Sequence, residues 1–149
     1  MDWSYVAGFF DGEGSISIAQ CITNIEFTLC VAALRKEQLE PFAEFLRIQG
    51  IHCTWRTNKT NRIGREKNSV TCLDIHQHQS LNDFLENISP FLVLKQHQCM
   101  ILQRALNLKK QLKSEGKIIL QNLQAFDALR QELHEYSHKG PAHLKPWKY

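Results

Sequence analysis

The period of the hydrophobic pattern changes several times along the chain, and those changes predict its elements. Residues 3–10 are apolar nearly all round, with Ser4 the clear exception. A helix of that composition needs cover on most sides. It runs into Asp11-Gly12-Glu13-Gly14, where two glycines predict a helix end and a turn. Alternation follows, with Ile16 and Ile18 on one face and Ser15, Ser17 and Ala19 on the other, as in a half-buried strand. Asn24 gives a turn signal. Phe27, Leu29 and Val31 then alternate with Thr28, Cys30 and Ala32, which predicts a second strand and a hairpin. Leu39, Phe42, Ala43 and Leu46 have helical spacing. Pro41 fits only in a first turn, so that helix is expected to start near Lys36 to Gln38 and to end at Gly50. Strands are expected over 52–57 and 69–75, joined by a polar tip from Asn58 to Asn68.

Ser80 and Asp83 have the spacing of a capping box ahead of the apolar face Leu81, Phe84, Leu85 and Ile88, and Pro90 ends that helix. A longer helix is expected over about 95–113, with Ile101, Ala105, Leu108 and Leu112 on one stripe. Gly116 breaks it, and a last helix is expected over about 121–135. The order α-β-β-α-β-β-α plus further C-terminal helices predicts an α+β fold, an antiparallel sheet with helices on one face. Its other face is small and polar, hence free to touch a partner. Residues 1–136 are expected to form one domain, and 137–149 an extended basic tail with Gly140, Pro141 and Pro146.

Composition narrows the classes. The 149 residues suffice for one domain, with 43% hydrophobic and 22% charged, which excludes a disordered chain and a coiled-coil rod. The apolar runs at 5–10 and 91–94 fall far short of the ~20 residues a membrane span needs. No basic stretch followed by an apolar one opens the chain, so no membrane partner and an intracellular setting are expected, in a prokaryotic cytoplasm or in an organelle or nucleus. Five cysteines, at 21, 30, 53, 72 and 99, show no C-x-x-C spacing and read as small hydrophobes in a reducing compartment. Net charge is only +3, but residues 1–34 hold four acids and no Lys or Arg. Residues 35–149 therefore hold all 18 bases against 11 acids. An acidic cluster in an otherwise basic chain suits a metal-dependent enzyme acting on a polyanion, although such asymmetry is common.

The candidate chemistry lies at Asp11 and Glu13. A carboxylate is badly placed at a helix C-terminus, where the dipole is already negative. A divalent cation would offset that cost, and a carboxylate with a backbone carbonyl is an ordinary oxygen donor set for Mg²⁺. Two solvated acids flanking a glycine turn are the plainer alternative, and spacing alone leaves both open. His76 and His78 stand two apart, but with no third ligand evident they read as surface histidines.

Residues 5–16, Tyr-Val-Ala-Gly-Phe-Phe-Asp-Gly-Glu-Gly-Ser-Ile, resemble the signature of the LAGLIDADG homing endonucleases. Ala7, Gly8, Asp11 and Gly14 are identical to the name sequence. Residues 90–98, from Pro90 through Leu92 and Lys95 to Gln98, resemble that family's P-x-L-x-x-K-x-x-Q segment, and the order of elements fits as well. The resemblance implies a saddle-shaped antiparallel sheet in an α-β-β-α-β-β-α core. It implies a site-specific nuclease that cuts double-stranded DNA at a long pseudo-palindromic site and leaves four-nucleotide 3′ overhangs. With one motif copy, it implies a homodimer built on Tyr5, Ala7, Gly8 and Asp11.

The resemblance also assigns roles. Glu13 and the Gly12 carbonyl would hold Mg²⁺, or Mn²⁺ or Ca²⁺ in the same place. Lys95 would act near the scissile phosphate, and Lys36 or Arg35 would supply a second basic group. The family's glutamine falls on Ala33, a departure that bears on water positioning. Base-facing positions would be Ser15, Ser17, Ala19, Thr28, Cys30, Thr54, Arg56, Asn68 and Val70. Lys59, Arg62, Arg65 and Lys67, with Lys145 and Lys148 of the tail, would anchor phosphates. Two other classes share the scaffold: an RNA maturase acting on intron RNA, and a catalytically inert DNA-binding protein.

Overall fold

The first helix, α1, spans Trp3–Glu13, longer than its apolar stretch. The Asp2 carboxylate caps it, accepting the Tyr5 N–H at 2.9 Å and the Ser4 hydroxyl at 2.7 Å. Those bonds, with the Tyr5 amide foremost, hold the Asp2 carboxyl below its ordinary pKa. The expected glycine turn at its end is absent. The helix continues through Gly12 and Glu13, and Gly14 adopts an extended conformation that starts the next strand directly. Gly14 serves for close approach rather than for a left-handed turn. A Cβ there would collide with the ring and carbonyl oxygen of Phe10.

The computed structural model describes residues 1–22, 24–59, 69–117, 119–137 and 147; of residues 58, 59 and 120 it describes the backbone alone. After α1 come β1 (Gly14–Gln20), β2 (Ile25–Ala33), a 3₁₀ turn (Lys36–Gln38), α2 (Glu40–Ile48), β3 (Thr54–Lys59), β4 (Ser69–Ile75) and α3 (His78–Ile88). A second 3₁₀ turn (Ser89–Phe91), α4 (Gln96–Ser114), a third (Ile119–Asn122) and α5 (Leu123–Glu135) complete the order. The fold is α+β with an open four-stranded antiparallel sheet in the order β1-β2-β4-β3. Cys30 stands opposite Asp74 and Ala32 opposite Cys72 across β2 and β4. Thr54 faces Asp74, and Arg56 faces Cys72, across β3 and β4. Among the described residues no helix is long and apolar enough to cross a membrane.

By their contacts the residues form two units, Met1–Ser15 with Thr28–Val93, and Ile16–Phe27 with Leu94–Tyr149. In the first, aromatic rings seat α1. Trp3 meets Phe45 edge-on at 5.1 Å, Phe10 meets Phe84 at 5.5 Å, and Phe9 lies against Phe42 at 5.3 Å. Leu29, Val31, Leu73 and Ile75 supply the buried sheet face. Pro41 stands in the first turn of α2, as its fixed φ requires. Ser80 does not cap α3. Gln77 holds the cap position, and Ser80 is buried inside the helix, where its hydroxyl accepts the His52 N–H at 3.0 Å.

In the second unit α4 and α5 pack together, with Phe27 tilted against Phe126 at 6.1 Å. The buried stripe of α4 runs through Leu102, Ala105, Leu106, Lys109 and Leu112, and Leu108 is only half-buried. Lys109 takes an apolar position by donating to the Ile25 carbonyl and lying over the Phe27 ring at 5.1 Å. Burial lowers its pKa, and neighbouring Lys113 adds to the effect. The tail expected to be extended falls mostly outside the described residues. Trp147, which is described, is buried with Arg130 4.8 Å above its ring, and Arg130 is paired with Asp127 at 2.7 Å. All five cysteines are free, with Cys72 and Cys99 buried; Cys21 lies past the end of β1.

Candidate active site and nucleic-acid interface

The acids at the α1–β1 junction separate by environment. Asp11 is buried at 8% exposure and accepts the Val93 N–H at 2.7 Å, which ties the helix end to the segment after the second 3₁₀ turn. Gly12 and Glu13 are exposed on the last turn. The carbonyls of a last helical turn have no donor within the helix. Gly12 C=O and the Glu13 carboxylate are therefore hard oxygen donors at one exposed helix end, the donor type that Mg²⁺ prefers in sites it shares with water and phosphate. Among the described residues no three His, Cys, Asp or Glu side chains cluster as a metal cage. The Gly12 carbonyl and the Glu13 carboxylate are the oxygen donors that this helix end offers such an ion.

The other predicted dimer positions divide as well. Tyr5 is 57% exposed and Gly8 is exposed, whereas Ala7 is wholly buried. Tyr5, Gly8, Phe9 and Gly12 fall at helical spacing on one side of α1, with the Tyr5 and Phe9 rings stacked 6.5 Å apart. Phe9 is half-buried. Among the described residues, nothing lies within 4 Å of a Cβ built on Gly8 or Gly12.

Lys36 belongs to the same unit as Glu13. Its ammonium lies 5.1 Å above the Trp55 ring and 3.9 Å from Glu40. Gln38, the nearest glutamine after β2, accepts the Arg35 N–H at 3.1 Å and so closes the 3₁₀ turn. Lys95 is the cap residue of α4, half-buried, and belongs to the second unit.

The predicted sheet-face positions alternate as expected. Ser15, Ser17 and Ala19 are exposed on β1, Thr28 and Cys30 half-buried on β2, Thr54 half-buried and Arg56 exposed on β3, and Val70 half-buried on β4. Lys59 ends β3, and its side chain lies outside the described residues, as do Arg62, Arg65, Lys67, Asn68, Lys145 and Lys148.

Sequence reasoning missed Asp74. It shares the face of Val70 and Cys72, is buried at 7% exposure, and binds Arg56 through both oxygens, Nε to Oδ2 at 2.6 Å and Nη2 to Oδ1 at 3.1 Å. The signal was present: an acid at the next-but-one position after Cys72 in a strand that otherwise buries apolar groups. Burial pushes the Asp74 carboxyl up, but hydrogen bonds from Arg56 and Cys30 and the charges of Arg56 and His76 outweigh it, so its pKa lies below the ordinary 3.8. Burial, with Asp74 as neighbour, pushes the Cys30 thiol well above its ordinary value, so it stays protonated. A carboxyl whose folded pKa is depressed contributes stability at higher pH that is lost as pH falls through that folded value. The deficit in Tm of Asp74→Asn against wild type should therefore shrink as pH drops below 3.8. Melts followed by circular dichroism between neutral pH and acid check this, and a constant deficit contradicts it.

No sequence-family model matches the chain, and no curated protein sequence matches it. Solved structures do. The homing endonuclease I-CvuI in complex with its target superposes with a TM-score of 0.67 at 19% identity, covering 91% of this chain and 82% of that one. The archaeal intron-encoded homing endonuclease I-Vdi141I, complexed with DNA, gives 0.67 at 20% identity over 96% and 88%. The LAGLIDADG meganuclease I-AabMI, bound to uncleaved DNA, gives 0.66 at 17% identity over 89% of this chain but only 45% of its own. The fold is that of the LAGLIDADG homing endonucleases.

Proposed function

We propose that this chain is a homodimeric, divalent-metal-dependent endonuclease of the LAGLIDADG class, cutting duplex DNA at a long pseudo-palindromic site with four-nucleotide 3′ overhangs. The α1–β1 junction carries the reading. An exposed Gly12-Glu13 pair at a helix C-terminus leads without a turn into a strand whose outer positions are Ser15, Ser17 and Ala19. Two homing endonucleases and a LAGLIDADG meganuclease that share this fold were solved in complex with DNA.

Two observations support a dimer. The Tyr5-Gly8-Phe9-Gly12 side of α1 holds aromatic and glycine positions, and among the described residues nothing lies within 4 Å of a Cβ at Gly8. The same fold unit also fills most of one neighbour's chain and under half of another's. A chain with one such unit completes the pair with a second copy about a two-fold axis. Tyr5 and Gly8 then meet their counterparts, with Ala7 and Asp11 fixing the helix from beneath. Each copy brings one Glu13 to the axis.

Glu13 and the Gly12 carbonyl would hold Mg²⁺, and Mn²⁺ or Ca²⁺ would suit the same oxygen donors; a divalent ion there would supply positive charge to the oxygens of the phosphodiester being hydrolysed. The Lys95 ammonium neutralises charge growing on the scissile phosphate, with Lys36 as the second basic group. Thr28, Cys30, Thr54, Arg56, Asn68 and Val70 join the β1 positions against base edges, and Lys59, Arg62, Arg65 and Lys67 bind backbone phosphates.

Selection from a random duplex DNA pool tests the reading. It should recover one sequence motif arranged as an inverted repeat, since a two-fold protein reads two half-sites. Recovery of no motif would overturn it, and retention of folded RNA in preference to duplex DNA would overturn it in favour of the maturase reading.

A further inference from the structure

The ladder of β2, β4 and β3 brings one outward row of side chains together. Cys30 pairs with Asp74 and Ala32 with Cys72, while Thr54 and Arg56 pair with Asp74 and Cys72 from the other side. This face is the reverse of the buried one formed by Leu29, Val31, Leu73 and Ile75. The polar groups of Arg56, Asp74, Cys30 and Thr54 are engaged within the protein. Arg56 donates to both Asp74 oxygens, at 2.6 and 3.1 Å, and its Nη2 also meets the Cys30 sulfur at 3.8 Å. The Cys30 thiol donates to the Val31 carbonyl at 3.7 Å, and the Thr54 hydroxyl lies 3.5 Å from His76 Nδ1. Cys72 and Asp74 are buried even though they stand in the outward row. The other members of the row are short and carry methyl groups: Thr28, Ala32, Thr54 and Val70, all half-buried. Reading a base edge by hydrogen bonds falls mostly to long side chains with two polar atoms to give, and this row commits its one arginine to a carboxylate. A row of methyls matches a different feature. The apolar group that a base pair places in the major groove is the C5 methyl of thymine, which Ala and the Thr methyl suit. Such contact removes apolar surface of both partners from water.

We infer that this part of the sheet recognises thymine by its C5 methyl, with Val70 and Thr54 as specificity-determining residues. This rests on the proposal that the sheet face meets DNA. The test uses wild type, Val70→Ala and Thr54→Ser on duplexes carrying the site selected from the random pool. Thymines are replaced one at a time by deoxyuridine, which removes the methyl and keeps every hydrogen-bonding group. Affinity is read for each duplex by competition. Wild type should prefer thymine to uracil by about 4-fold at the pairs these two residues meet, the worth of one buried methyl. Val70→Ala shortens the side chain, and Thr54→Ser removes only the methyl and keeps the hydroxyl. Each variant should lose the preference at its own pair in each half-site and keep it at the others, a pairwise pattern that general destabilisation would not produce. Selected half-sites without thymine, equal binding of every uracil duplex, or preferences that neither variant alters would overturn the inference. If wild type selects no motif at all, the DNA-binding proposal itself fails instead.

Discussion

Glu13→Gln is expected to bind the selected DNA site as tightly as wild type and to cut it about 10³-fold more slowly or worse. The substitution keeps size and shape and removes the charge. Gln can offer one neutral oxygen in place of a carboxylate, which is a poor donor for a hard cation. The same change relieves an electrostatic conflict. Glu13 is exposed on the last turn of α1, where the helix dipole is negative, and a second Glu13 and two phosphates would lie near it in the complex. Thermal stability and DNA affinity should therefore hold steady or rise while cleavage collapses. Mobility shifts and single-turnover cleavage on the same preparation read both sides of this split. A Gln variant that cuts at the wild-type rate would remove Glu13 from the chemistry.

Gly8→Leu should separate the fold of the chain from its assembly. Nothing among the described residues lies within 4 Å of a Cβ at Gly8, and leucine is a far better helix former than glycine, so the chain alone should melt no lower than wild type. In a dimer closed through this side of α1, two added side chains enter a close helix contact. Overpacking of that kind costs about 1–3 kcal/mol per copy. The dimer dissociation constant should then rise roughly 10²-fold or more, and cleavage at low protein concentration should go with it. Sedimentation equilibrium beside thermal melts checks both parts. An unchanged monomer–dimer equilibrium would move the interface away from α1.

Much of the fold was legible because period and breakers are local. Alternation at Ser15 to Ala19 and at Phe27 to Ala32 gave both strands with the correct faces. Pro41 does lie in the first turn of α2, but the helix starts at Glu40, because Lys36 to Gln38, where its start was expected, form a separate 3₁₀ turn. The misreadings arose where a local pattern had a tertiary partner. Ser80 and Asp83 look like a capping box, but the hydroxyl is engaged by His52 from 28 residues away. The glycines at 12 and 14 look like a turn, but Gly12 has room inside the helix and Gly14 is needed for contact with Phe10. The strand expected over 52–57 lies over Thr54–Lys59, where its register against β4 is set by pairing that composition cannot show. Lys109 in a buried stripe is likewise explained by a carbonyl acceptor 84 residues distant. In the candidate site, alternation placed Ser15, Ser17 and Ala19 on one outward face of β1, while the roles given to Glu13 and to the base-facing positions came from the resemblance carried by residues 5–16 and 90–98. The different fates of Asp11 and Glu13, and the Asp74 grip on Arg56, depend on which neighbours the fold supplies.

Cleavage by the wild-type chain is the most direct measurement of the central claim. Linear duplex carrying the selected inverted repeat would be incubated with the protein, with Mg²⁺ and with EDTA, and both strands sized at nucleotide resolution. The expected result is a metal-dependent double-strand cut within the repeat, at staggered positions four nucleotides apart with 3′ extensions. Tight, sequence-specific binding with both strands intact in Mg²⁺ and in Mn²⁺ would contradict the assignment as a nuclease.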